Sequence, residues 1–83
     1  MNWFLYILKS ELNEKYYVGI SQNPDRRLKY HNSIEKGFTS RYRPWKLMLK
    51  KEYSSRIEAQ NIEKKLKLGK SRKVIEGFIV DNK

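Results

Sequence analysis

The sequence predicts a small α+β domain with elements in the order β-β-α-β-α-α, a small sheet with helices against it. Three observations predict it. Two short apolar runs rich in aromatic and branched residues open the chain, an Asn-Pro-Asp helix start follows them, and a serine-capped amphipathic helix lies in the second half. The 83 residues make one domain, 1–83, and at this size roughly 60% of the unfolded surface can be buried.

The first run, Trp3 to Leu8, ends at the polar stretch Lys9 to Lys15, and the second spans Tyr16 to Ile20. Both read as strands of one hairpin. A four-residue loop, Ser10 to Asn13, sets Tyr6 directly opposite Tyr17. Opposed residues of an antiparallel pair share a face, so two phenols stand side by side, and a slip of one residue separates them.

Asn23, Pro24 and Asp25 begin the first helix: Asn caps, Pro takes the position where no N–H is missed, and Asp faces the positive end of the helix dipole. Arg27 and His31, four apart, share a face of that helix. Gly37 and the loop from Thr39 to Pro44 break regular structure, and Trp45 to Tyr53 forms the third strand. Ser55 with Glu58 makes a capping box ahead of a helix whose apolar stripe is Ala59, Ile62 and Leu66, stopped at Gly69. Ser71 caps a last helix with Val74, Ile75, Phe78 and Ile79 facing inward.

Composition narrows the function. Nineteen Lys and Arg against nine Asp and Glu give a net charge of +10. That surplus points first to a polyanion such as nucleic acid and second to an anionic membrane surface, with a merely soluble basic surface as the bland reading. Hydrophobic residues, 39% of the chain, suffice for a core and argue against disorder. The absence of cysteine excludes disulfide scaffolds, zinc fingers, iron–sulfur clusters and thiol nucleophiles, and the single histidine, His31, excludes a multi-histidine metal site. The opening apolar run is too short for a membrane span or a signal segment, so a cytoplasmic location is expected. The basic residues build no amphipathic helix with bulky apolar anchors, so membrane binding ranks last.

Basic residues cluster. Lys64, Lys65, Lys67, Lys70, Arg72 and Lys73 form one acid-free stretch; Arg26, Arg27, Lys29, Lys36, Arg41 and Arg43 form another, broken only by Glu35. Tyr30, Tyr42 and Trp45 between them offer flat partners for bases or sugars. Read singly, these residues are a solvated helix face and a core tryptophan; clustered, they favour the polyanion. Glu63 stands alone at the edge of the apolar stripe, where it can pair with Lys67 four residues on or hold Mg²⁺, which accepts one carboxylate together with waters and phosphate oxygens.

In this order Phe4-Leu5-Tyr6, Tyr17-Val18-Gly19, Arg27 with His31, and Ala59 with Glu63 resemble the GIY-YIG nuclease superfamily. The resemblance runs from Trp3 to about Ile79, and is nearest the short single-domain bacterial branch related to the N-terminal nuclease domain of the excinuclease ABC C subunit. That branch shows a His-Asn pair, here His31-Asn32, and a loop like Thr39, Arg41, Pro44 and Trp45. Here the first motif reads Phe-Leu-Tyr in place of Gly-Ile-Tyr, a conservative change within a strand.

The resemblance implies a three-stranded antiparallel sheet flanked by three helices and a DNA endonuclease dependent on Mg²⁺, or Mn²⁺, with a DNA-repair role. It assigns Tyr6 as general base or water-orienting group, His31 as acceptor of its proton, and Tyr17 as the group orienting water or the scissile phosphate. Gly19 allows close backbone approach, Arg27 stabilises the phosphorane, Glu63 is the sole protein ligand of one metal ion, and Lys9 contacts phosphate. Arg26, Arg41, Arg43, Lys64, Lys67 and Lys70 supply further phosphate contacts. A lone Glu makes a two-metal site improbable. Relatives usually owe target choice to an appended DNA-binding domain, so this core is expected to read branched or single-stranded DNA by shape. Two competing readings stand beside it: a silent nucleic-acid-binding module for DNA, RNA or the ribosome, and a subunit that takes its specificity from a partner protein.

Overall fold

The strand that opens with the unbroken apolar run Trp3 to Leu8 takes the middle of the sheet. In the computed structural model, which describes residues 2–33, 42–69 and 72–82, β1 (Trp3–Ser10) lies between β2 (Tyr16–Ser21) and β3 (Trp45–Tyr53), antiparallel to both. Leu5, Tyr6, Ile7 and Leu8 are all at most 1% exposed, as a run without alternation requires when both faces are covered. Helix α1 (Pro24–Ser33) precedes β3, and α2 (Arg56–Gly69) and α3 (Arg72–Asp81) follow it. The β-β-α-β-α-α order is as expected.

The two faces of β1 feed two cores. Leu5 and Ile7 pack with Val18, Leu49, Leu66 and Ile79 beneath α2 and α3, while Tyr6 and Leu8 pack with Trp45, Tyr17 and Leu28 beneath α1. A register shift between Ile7 and Leu8 lets Leu49 serve the first core and Leu47 the second, with Met48 between them.

The hairpin register differs from the expected one by two residues: Tyr6 lies opposite Gly19, and Tyr17 opposite Leu8. The reason is local side-chain chemistry in the turn. Ser10 Oγ accepts the N–H groups of Leu12 and Asn13 at 3.1 and 3.3 Å, Asn13 Oδ1 accepts Lys15 N–H at 3.0 Å, and Ser10 N–H closes the turn on Lys15 O at 2.9 Å. Polar groups thereby hold a five-residue connection, Glu11 to Lys15. Because side chains alternate with a period of two, the shift keeps both phenols on one face.

The helix starts carry the caps their sequences announce, with one variation. Asn23 Oδ1 accepts Arg26 N–H at 3.1 Å, and Ser55 Oγ accepts Glu58 N–H at 3.2 Å. The Glu58 carboxylate takes the Ser54 hydroxyl at 3.0 Å, so Ser54 stands where the second arm of a capping box was expected. In α3, Ile75, Phe78 and Ile79 turn inward, whereas Val74 is 45% exposed. Val74 falls at the rim of the buried stripe, beside Gly69. The expected Ser71 cap, Gly37, and the loop as far as Arg41 lie outside the described residues.

Asn32 ties α1 to the sheet. Its Nδ2 donates to Trp45 O at 3.1 Å and its Oδ1 accepts Trp45 N–H, a two-point clamp on the first residue of β3. Arg43 Nη1 donates to Asn32 O at 3.3 Å, the Ser10 hydroxyl donates to Tyr42 O, and Glu11 N–H donates to Pro44 O at 2.9 Å. Among the described residues no helix is long and apolar enough to cross a membrane.

Two predictions follow from this packing. Asn32→Ala strands two backbone groups of a residue that is 2% exposed, so chemical denaturation is expected to show a loss of about 2–4 kcal/mol. The second concerns alkaline pH. Burial, then the hydrogen bond to Glu76 at 3.0 Å, lifts the Tyr16 phenol above its usual value, and burial followed by the Glu58 charge does the same for Tyr53. A raised folded-state pKa contributes stability that is complete below the ordinary phenol value near 10 and is lost as pH climbs past it. Thermal melts from pH 9 to 11 should therefore fall more steeply for the wild type than for the Tyr16→Phe, Tyr53→Phe double variant.

Candidate active site

Tyr6 projects from β1 under α1 at 1% exposure, and its hydroxyl lies 3.2 Å from Nε2 of His31, which is itself 0% exposed. A buried phenol is costly unless it is hydrogen-bonded, and the imidazole meets that need. Tyr17, half-buried on the edge strand β2, completes the group. Its ring centre is 6.2 Å from that of Tyr6 and 4.8 Å from that of His31, within the range of favourable tilted aromatic pairs.

Gly19 is what lets the three rings meet. A Cβ at this position would come within 2.6 Å of the Tyr6 Oη and 2.7 Å of its Cζ, and within 3.1 Å of the Tyr17 ring. The Tyr6 phenol therefore lies over bare backbone, as the strand register dictates by setting Tyr6 opposite Gly19.

Glu63 lies on α2, which packs on the face of β1 opposite to Tyr6 and α1. On α2, Ala59 and Leu66 are buried in the sheet-facing stripe and Ile62 packs beside them, leaving the Glu63 side chain 18% exposed at the rim. Its Oε2 is 3.2 Å from Lys67 Nζ, and that ammonium stands 5.9 Å from the centre of the Tyr17 ring. Lys67 thus links the lone carboxylate to the tyrosine pair. Of the two expected pairings of Glu63, the ion pair with Lys67 is formed. Among the described residues no three His, Cys, Asp or Glu side chains draw together. A single carboxylate fits only an ion that takes its other ligands from water and phosphate, as Mg²⁺ does.

The remaining expected residues spread over both faces. Arg27 is half-buried one turn before His31, with its guanidinium carbon 4.9 Å from the centre of the Tyr30 ring. Arg26 is exposed beside it and lines the same cleft. Arg43 braces Asn32, and Lys64 is exposed on α2. Lys9 lies three residues after Tyr6 on a strand, so it points to the opposite face, with its ammonium 5.7 Å from the Tyr16 ring. Arg41 and Lys70 lie outside the described residues. Of the aromatic residues expected to offer flat surfaces, Trp45 is 2% exposed and packs edge-on against Tyr42, their centres 6.4 Å apart. Those two serve the core.

Sequence reasoning did not find the Asn32 clamp or the part Trp3 plays beside α1. Asn32 had a signal in its place next to His31, but the partner that explains it is 13 residues away.

The described residues thus form a three-stranded sheet that sets a tyrosine from each hairpin strand against a helical histidine, with a partly buried carboxylate on α2. The chain belongs to the GIY-YIG family, matching the GIY-YIG catalytic domain over residues 2–75. It is 38% identical over 65 residues to the structure-specific endonuclease subunit slx1 of Aspergillus terreus, covering 70% of this chain and 17% of that protein. It is 40% identical over 47 residues to the structure-specific endonuclease subunit SLX1 of Phaeosphaeria nodorum, covering 51% of this chain and 13% of that one. The chain thus spans less than a fifth of the length of these curated relatives. The solution NMR structure of a UPF0213 protein from Bacillus halodurans superposes with a TM-score of 0.60 at 27% identity, covering 96% of this chain and 84% of that one.

The Gly19 contact predicts a coupled defect. Gly19→Ala must push the Tyr6 ring off its place, and overpacking of this kind costs about 1–3 kcal/mol. Denaturation should register that loss, and a crystal structure of the variant should show the Tyr6 to His31 distance lengthened beyond hydrogen-bonding range.

Proposed function

We propose that this chain is a DNA endonuclease that hydrolyses phosphodiester bonds with one divalent ion, Mg²⁺ or Mn²⁺, and selects its substrate by shape or structure. The observation that carries the reading is the Tyr6 hydroxyl 3.2 Å from His31 Nε2, with Tyr17 packed against both. Family membership and the named activity of the two fungal relatives support it.

An ordinary phenol has a pKa near 10 and is a poor base at neutral pH unless its own proton can leave as another arrives. The Tyr6 and His31 pair supplies that path. As a water oxygen bonds to phosphorus and the ester P–O bond breaks, the water proton passes to Tyr6 Oη, the phenol proton moves to His31 Nε2, and the departing sugar oxygen leaves as an alkoxide that takes a proton from solvent water. Tyr6 is 1% exposed, so the attacking water must reach its hydroxyl past the half-buried Tyr17, the phenol open to a bound strand. Arg27, on the same helix, suits a phosphoryl group bidentately. Glu63 would hold the ion, which when bound neutralises charge on the phosphate oxygens. The surplus of +10 draws in the DNA backbone through salt-sensitive contacts. A role in DNA repair and a cytoplasmic location belong to the same reading.

A second reading, a nucleic-acid-binding module without turnover, draws support from the Lys67 ammonium already seated on Glu63 at 3.2 Å. One assay separates the two: nicking of plasmid, fork and flap DNA with Mg²⁺, Mn²⁺ or chelator. The nuclease reading expects cleavage by the wild type, none in chelator or with Glu63→Ala, and a loss of about 10²- to 10⁴-fold for Tyr6→Phe. It also expects Arg27→Lys to be impaired, since an ammonium cannot form the two parallel bonds. A wild type that binds DNA but cleaves nothing, or a Glu63→Ala variant that cleaves as well as the wild type, would establish the module instead.

A further inference from the structure

We propose that the cleft between α1 and the end of β2 takes an unpaired nucleotide of the bound DNA strand, its base stacking on Trp3 and Tyr30. This deepens the nuclease reading above and rests on it. The cleft has a volume of about 540 Å³ and is lined by Trp3, Ile20, Asn23, Arg26, Arg27 and Tyr30 among others, with no acidic residue in its wall.

Its chemistry is that of a strand-binding groove, combining positive charge with flat aromatic faces. Tyr30 is 37% exposed, and Arg27 lies 4.9 Å from its ring centre. Arg56 lies 5.3 Å from the centre of the Trp3 ring. Arg–aromatic pairs of this kind present polarised, partly desolvated planes on which a base can stack. The other aromatic pair near α1, Tyr42 and Trp45, is turned into the core, and Trp3 and Tyr30 are the aromatic residues that line this cleft.

Position connects the cleft to the chemistry. Arg27 lines it and also stands one helical turn from His31. A strand whose phosphate sits on Arg27 therefore delivers its neighbouring nucleotide to the cleft. Bases inside a duplex are stacked on one another and cannot enter, so only a flap, fork arm or frayed end fills it. This makes the cleft a source of structural selectivity without reading sequence.

The test is equilibrium binding by the full chain in chelator, using a duplex with a short single-stranded flap and a blunt duplex of the same sequence. The protein has two tryptophans, and Trp45 is 2% exposed, so quenching by a stacked base reports Trp3. The wild type is expected to bind the flap more tightly with quenched fluorescence, and Tyr30→Ala and Trp3→Ala to weaken flap binding by about fivefold to 150-fold while blunt binding stays within about twofold. If Trp3→Ala fails to fold, Tyr30→Ala decides, because that ring sits on the helix surface. Equal affinity for flap and blunt DNA, or a folded Tyr30→Ala that binds the flap as the wild type does, overturns the cleft. Should the same wild type still nick flap DNA, the nuclease reading survives that loss. A wild type that binds neither DNA overturns both.

Discussion

A phenol buried to 1% exposure on the central strand needs a hydrogen-bond partner, a space for its ring and a helix held over it. Each need is met by a different part of the chain. His31 supplies the partner from α1, Gly19 supplies the space from β2, and Asn32 holds α1 in place by clasping the backbone of Trp45 on β3. Tyr6 therefore fixes the relation of three elements at once. Its neighbours in sequence, Leu5 and Ile7, secure the same strand from the opposite face through α2 and α3. A strand covered on both sides has little freedom to slide, which holds the Tyr6 hydroxyl at its distance from His31.

The charge distribution adds a second constraint. With +10 net charge, a carboxylate such as Glu63 at the rim of the tyrosine pair will attract a cation. Lys67 fills that role at 3.2 Å, in a pair that is exposed on the lysine side and so contributes little stability.

Placing the aromatic residues sorts them by task. Trp45 and Tyr42 stabilise the junction of α1 with β3, Tyr16 anchors α3 through Glu76, Tyr6 and Tyr17 meet His31, and Trp3 and Tyr30 remain at the surface beside Arg27. A domain this small has few residues to spare for binding.

What the sequence by itself determined was whatever depends on neighbours a few residues apart. The apolar run of β1, the Asn23 and Ser55 caps, the Ala59, Ile62 and Leu66 stripe and the stop at Gly69 all arise from periodicity and short-range hydrogen bonds, and the structure has them in place. That Tyr6 and Tyr17 share a face was legible for the same reason, because parity survives a shift of two residues. The register itself was not, since Ser10 and Asn13 fold the turn through hydrogen bonds that a count of loop residues does not contain. Only the tertiary structure decided that Gly19 lies beneath Tyr6, that Asn32 clasps Trp45, that Lys9 faces away and that Trp3 joins Tyr30 beside Arg27. These depend on which segments pack together, and no spacing along the chain encodes a contact between elements that meet only in the folded domain.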